Sequence, residues 1–146
     1  AAIAVGLEIE IDFDVIARAL ASFTGVKRRL EIKGEKNGIT VIDDYGHHPT
    51  EIRATLGALR ASWPQKRLVV MFQPHRYSRT AGLFKEFCTA FHEADILILT
   101  DIYAASEEPV AGVSTENLLT AIKERGQRHV HYVAAIEQLP SAVAPM

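Results

Sequence analysis

Arg67-Leu68-Val69-Val70-Met71-Phe72, followed at once by Gln73-Pro74-His75-Arg76-Tyr77-Ser78-Arg79-Thr80, is the stretch that decides the fold. From Leu68 to Phe72 every position is apolar, which suits a strand covered on both faces, since a strand with one wet face alternates instead. Polar and charged residues then crowd the segment that leaves the strand. Two further apolar runs, at 95–100 and 129–133, repeat the strand pattern.

Between these runs the spacing changes to that of helices. Ile52, Leu56, Leu59 and Trp63 share one face of a predicted helix over 49–62, and Pro49 suits its first turn, where a missing N–H costs nothing. Further helices are expected over 80–93, over 114–125 with Gly126 as the stop, and over 135–142. Buried strands alternating with amphipathic helices predict an α/β, Rossmann-like, three-layer domain with a mostly parallel sheet.

Toward the N-terminus the pattern differs. Two β-favouring runs, 28–36 and 38–43, flank Asn37-Gly38, a strong hairpin signal, so an antiparallel hairpin precedes the parallel sheet. Residues 13–23 carry Val15, Ile16, Leu20 and Phe23 at helical spacing, with Asp12 or Asp14 as N-cap and Gly25 as a break. The linker, and with it the domain boundary, is placed near 23–26. Ala1 starts mid-pattern, as if inside a helix, and Pro145-Met146 ends the chain without a clear terminal element, so both ends are expected to be cuts.

Bulk properties narrow the function. A length of 146 residues with 48% hydrophobic composition supports one ordinary core. A formal charge of −2, with 16 basic residues scattered along the chain, gives no reason to expect nucleic acid. The apolar start at 1–7 is too short to span a membrane, lacks a basic leader and runs into Glu8, Glu10 and Asp12, so a cytoplasmic protein is expected. Cys88 stands alone beside Phe84, Phe87 and Phe91 and is expected to be buried and inert. Neither G-x-x-x-x-G-K-[ST] nor G-x-G-x-x-G occurs, so the main grip on a nucleotide's phosphates is not here.

Ligands in open α/β sheets bind beyond the carboxyl ends of the strands, and three polar segments lie there. The first is Asp43-Asp44-Tyr45-Gly46-His47-His48-Pro49-Thr50-Glu51, leaving a strand and entering a helix whose N–H groups can grip a polar ligand. The plainer reading makes Asp43, Asp44 and Thr50 turn and capping residues and leaves the histidines solvated. A metal at His47-His48 is set aside, because adjacent side chains point apart and no third ligand follows at suitable spacing.

The second segment, 73–80, carries Arg76 and Arg79. Three apart at a helix start, they can face one way and present forked donors to a carboxylate or phosphate, although surface ion pairing is the commoner fate of such arginines. The third, 101–109, offers Asp101 for an amine or an arginine, with an acidic turn as an equally cheap explanation.

Taken together, the runs at 43–51 and 73–80, both long, ungapped and in order, closely resemble the C-terminal domain of the Mur ligases, and within them the ligases that join L-alanine to UDP-N-acetylmuramate. The likeness extends through Arg28-Arg29-Leu30-Glu31 and Asp101-Ile102-Tyr103, and 1–10 looks like the last helix of the family's central ATPase domain. The resemblance implies residues 1–24 as the tail of that domain and 25–146 as the amino-acid-binding domain, cut before its final strand.

The implied reaction has ATP, with Mg2+, phosphorylate the carboxylate of UDP-N-acetylmuramate in peptidoglycan biosynthesis, and L-alanine attack the acyl phosphate. By resemblance, Arg76 and Arg79 hold the alanine carboxylate. Tyr45 and His47 complete the pocket, His47 as the catalytic residue beside the reacting groups, with no dedicated base identified. Asp44 contacts the ATP ribose and Arg29 the phosphates. No metal ligand is assigned, and Mg2+ is expected mainly in the central domain. The fragment alone is expected to be inactive. Alternatives are a ligase that recycles a murein tripeptide, or a module that binds an amino acid or nucleotide without chemistry.

Overall fold

The computed structural model describes residues 1–144, and internal packing divides the chain into two units, Ala1–Tyr45 and the remainder from Gly46. Pro145-Met146, read as a cut end, lies outside the described residues.

The first unit opens with α1 (Ala2–Glu8) and α2 (Phe13–Ala21). Asp12 caps α2, its Oδ1 accepting the Asp14 N–H at 2.9 Å. Gly6 and Ile16 are the buried residues of the two helices, while Val5, Phe13 and Phe23 stay 56–62% exposed. The hairpin follows as β1 (Glu31–Lys36) and β2 (Ile39–Asp43), antiparallel, with a register shift between Ile32 and Gly34. Asn37 and Gly38 join them at φ 52° and 78°, both in the left-handed region that a two-residue I′ turn requires.

In the second unit, α3 (Pro49–Ser62) leads to β3 (Val69–Phe72), α4 (Tyr77–Gly82), α5 (Phe84–Phe87), β4 (Ile96–Leu99), α6 (Thr115–Glu124) and β5 (Val130–Tyr132). A 3-10 turn, Ile136–Gln138, then enters α7 (Leu139–Val143). The sheet runs β3-β4-β5, all parallel, with Val69 opposite Ile96 and Leu97 opposite Val130. In the central strand Leu97, Ile98 and Leu99 are fully buried, so both faces are covered, as the unbroken apolar run predicts.

Ile52 and Leu56 of α3 and Leu118 and Ile122 of α6 meet Phe72, Phe87, Phe91, Leu97 and Leu99 in one core. The Phe72 ring lies 5.8 Å from Phe87 and 5.2 Å from Phe91. Cys88 is buried there as expected, and burial pushes its thiol pKa up.

Two expected helices break. The one read over 80–93 begins earlier, at Tyr77, and is interrupted at Leu83, whose φ of −116° and ψ of 20° close α4 and open α5. Gly82 weakens the helix just before, and the break lets Leu83, Phe84, Phe87, Cys88 and Phe91 all reach the core. The one read over 135–142 divides where Pro140 withholds an N–H. By contrast α6 keeps its expected ends, with Ser114 Oγ accepting the Asn117 N–H at 3.2 Å and Gly126 at φ 105°.

Candidate functional site

Pairing of β3 with β4 continues past both strands. Tyr103 N–H donates to Pro74 O and Arg76 N–H to Tyr103 O, each at 2.8 Å, which makes a parallel bridge of His75 and Tyr103 with their rings 5.3 Å apart. The two loops at the carboxyl end of the sheet are thereby tied together.

Arg76 sits at the junction with φ 72° and ψ 136°, a conformation that costs a non-glycine residue about 1–3 kcal/mol. Its carbonyl accepts from Thr80 N at 3.1 Å and from the fully buried Thr80 Oγ1 at 2.8 Å, so the strained peptide is held from both sides. Arg76 therefore precedes α4 instead of belonging to it, and the helical three-residue relation to Arg79 does not apply. The guanidiniums take different neighbours. Arg76 Nη1 lies 3.8 Å from Glu107 Oε1, whereas Arg79 Nη1 contacts His75 at O and Nδ1, both at 3.2 Å. Burial foremost, then the charges of Arg79, Arg76 and His47, hold the His75 pKa below its usual value. His47 and the two arginines thus act electrostatically on the same imidazole.

The turn into α3 is occupied by its own residues. Glu51 Oε2 accepts the N–H groups of His47 and His48, each at 3.1 Å, and lies 3.7 Å from His47 Nδ1. His48 Nδ1 accepts the Thr50 N–H at 3.2 Å, and Pro49 fills the first helical position fully buried. This capping box satisfies donors that the sequence reading had offered to a ligand. The cap is a histidine with a glutamate, where the plainer reading expected aspartate and threonine.

In the first unit, Asp44, Arg29 and Tyr45 lie at the base of the hairpin. Leu30 N–H donates to Asp44 Oδ2 at 3.0 Å, and Tyr45 N–H donates to Arg28 O at 2.8 Å. The Arg28 guanidinium lies 4.7 Å from the Tyr45 ring centre and 3.7 Å from Asp43. Positive φ at Arg28 (56°) and Leu30 (48°) brackets Arg29, which is exposed. The predicted site residues therefore form two sets: Arg29, Asp44 and Tyr45 in one unit, and His47, Arg76 and Arg79 in the other.

Asp101, offered either to an amine or arginine or to an acidic turn, accepts the Tyr132 hydroxyl hydrogen bond, and its carbonyl accepts from Gln73 Nε2 at 3.2 Å. That bond, with burial, pushes the Tyr132 pKa up to about 12. Glu107 meets both Ser78 and Arg76, and nothing local in the sequence marks it out from Glu108. Among the described residues no group of three or more His, Cys, Asp or Glu is placed to hold a metal ion, and no helix is long and apolar enough to cross a membrane.

The second unit is a parallel α/β fold that carries arginines and histidines at the carboxyl ends of its strands, where ligands of such sheets bind. The profile described as "Mur ligase, glutamate ligase domain" matches residues 28–146, and the chain belongs to that family. It is 64% identical over 145 residues to the UDP-N-acetylmuramate–L-alanine ligase of Desulfotalea psychrophila, covering 99% of this chain and 32% of that protein. The ligase of the same name from Geobacter sulfurreducens is 59% identical, covering 96% of this chain and 30% of the relative. The crystal structure of the Thermotoga maritima UDP-N-acetylmuramate–alanine ligase superposes with a TM-score of 0.76 at 28% identity, over 97% of this chain and 29% of that one. A murein peptide ligase of Psychrobacter arcticus, at 23% identity and a TM-score of 0.63 over 97% of this chain and 29% of that one, shares the fold. The chain spans about a third of the length of the curated relatives it matches.

Proposed function

We propose that this chain is the C-terminal, amino-acid-binding domain of a cytoplasmic ligase that joins L-alanine to UDP-N-acetylmuramate at the expense of ATP in peptidoglycan biosynthesis. The observation that carries the reading is identity of 64% to a ligase of that name over 99% of the chain, which includes both polar motifs. Residues 1–24 are assigned to the tail of the central ATPase domain. Helices that bury only Gly6 and Ile16 and leave Val5 and Phe13 exposed, with Phe23 exposed just beyond them, support that assignment.

Arg76 and Arg79 are assigned to the carboxylate of L-alanine. A guanidinium offers paired donors to a carboxylate, and holding that end orients the amine toward the activated carbonyl. Tyr45 and His47 are assigned contacts to the same amino acid. His47, restrained by its N–H bond to Glu51, is the residue proposed beside the reacting groups.

Asp44 and Arg29 are assigned to ATP, whose phosphoryl group activates the muramyl carboxylate. The donor set fits: the Leu30 N–H fixes the Asp44 carboxylate for ribose hydroxyls, and the exposed Arg29 supplies positive charge for phosphates. Mg2+ is assigned to the portion of the enzyme outside this chain.

Catalysis here rests on positioning and charge neutralisation. In the full-length enzyme Arg79→Ala is expected to raise KM for L-alanine by about 10- to 100-fold, the worth of a hydrogen bond to a charged group, with KM for UDP-N-acetylmuramate unchanged. Steady-state kinetics checks this, and an unchanged alanine KM refutes the assignment.

A further inference from the structure

Glu107 lies in the loop after β4, the polar segment with the least specific residue types. Its Oε2 accepts Ser78 N–H at 2.9 Å and its Oε1 accepts Ser78 Oγ–H at 2.7 Å, so one carboxylate holds both donors of a residue in the first turn of α4. The same Oε1 stands 3.8 Å from Arg76 Nη1.

The loop is shaped to deliver this carboxylate. Ala105 and Ser106 take left-handed backbone at φ 49° and 70°, and Glu107 N–H turns back to Ala104 O at 3.0 Å. Two consecutive non-glycine residues in that region are held only where the surroundings over-determine them. The bridge of His75 with Tyr103 supplies the surroundings by tying this loop to the segment after β3.

We infer that Glu107 is a positioning residue for Arg76, holding its guanidinium so that the remaining N–H donors receive the carboxylate of the amino-acid substrate. This rests on the proposed L-alanine site. A guanidinium carries five N–H donors and one carboxylate engages at most two of them, so Glu107 and a substrate carboxylate can share Arg76. With the Arg76 side chain 51% exposed, its outer edge faces solvent. Arg76's backbone is already fixed by Tyr103 and Thr80, and the Glu107 carboxylate stands in ion-pair range of the far end of the side chain. The Ser78 hydrogen bonds also lower the Glu107 pKa, so the group is ionised at neutral pH.

A mere staple between loop and helix would show the same Ser78 contacts, and a double-mutant cycle in the full-length ligase separates the two roles. Glu107→Gln keeps an oxygen for the Ser78 N–H and removes the charge beside Arg76. Its expected effect is a rise in KM for L-alanine of about tenfold, as displacement of a binding group by a fraction of an ångström produces, with kcat and KM for ATP unchanged. On an Arg76→Ala background, Glu107→Gln is expected to change the alanine KM no further. Should Glu107→Gln unfold, Glu107→Asp, which retains charge at shorter reach, carries the same cycle. If the two penalties multiply, or if Glu107→Gln leaves KM alone while Arg76→Ala raises it, the inference is overturned and the alanine site stands. If Arg76→Ala itself leaves the alanine KM unchanged, the site assignment fails and takes the inference with it.

Discussion

His75 condenses the electrostatics of the site into one imidazole. Burial first, then Arg79, Arg76 and His47, disfavour its protonation, and the Glu107 carboxylate opposes them only in part. The neutral ring is therefore the form the fold selects, with Nδ1 facing the Arg79 guanidinium at 3.2 Å. Because the folded pKa lies below the ordinary histidine value of 6.5, the folded state binds fewer protons than the unfolded one in the window just under that value. The stability this group contributes is complete above pH 6.5 and is lost as pH falls through the folded pKa. Arg79→Gln removes the second-largest cause, so NMR titration of the ring is expected to show its pKa moving up toward 6.5 without passing it; an unchanged value contradicts this account.

The entry to α3 shows what can and cannot be foreseen at the level of an element. Its extent, its apolar face and Pro49 at the first position are local properties, readable from spacing and residue type. So is the Asn37-Gly38 turn, because both residues must hold positive φ and few pairs do so cheaply. The capping box was not foreseen, since His48 is an uncommon cap and the glutamate that satisfies two N–H groups sits inside the helix. Glu51→Ala is expected to cost about 1 kcal/mol, the usual worth of a cap, and to lower the melting temperature by about 3 °C, with Glu51→Gln nearer the parent. Thermal unfolding followed by circular dichroism measures it. The break at Leu83 and the placing of Arg76 outside α4 were also illegible, and for one reason. Each is imposed from afar, by the core around Phe72 in one case and by Tyr103 and Glu107 in the other. Arginines at a strand's carboxyl end are a local signal, but Tyr103 and Glu107, which meet Arg76, lie about thirty positions away in sequence.

At the scale of the whole molecule, the second unit has a closed core and the first does not. Phe87, Phe91, Leu97, Ile98, Leu99, Leu118 and Ile122 are all but fully buried, enough apolar surface to hold a small parallel sheet together. Across α1 and α2 burial is confined to Gly6 and Ile16. That asymmetry is the packing observation behind the proposal that residues 1–24 belong to a neighbouring domain. ATP-dependent phosphate release by the full-length protein measures the proposed activation of UDP-N-acetylmuramate for attack by L-alanine. With UDP-N-acetylmuramate present and L-alanine, glycine, L-serine and a murein tripeptide offered in turn, release is expected with L-alanine first and to fall away in Arg79→Ala. Preference for the tripeptide, or no release with any of the four, contradicts that proposal.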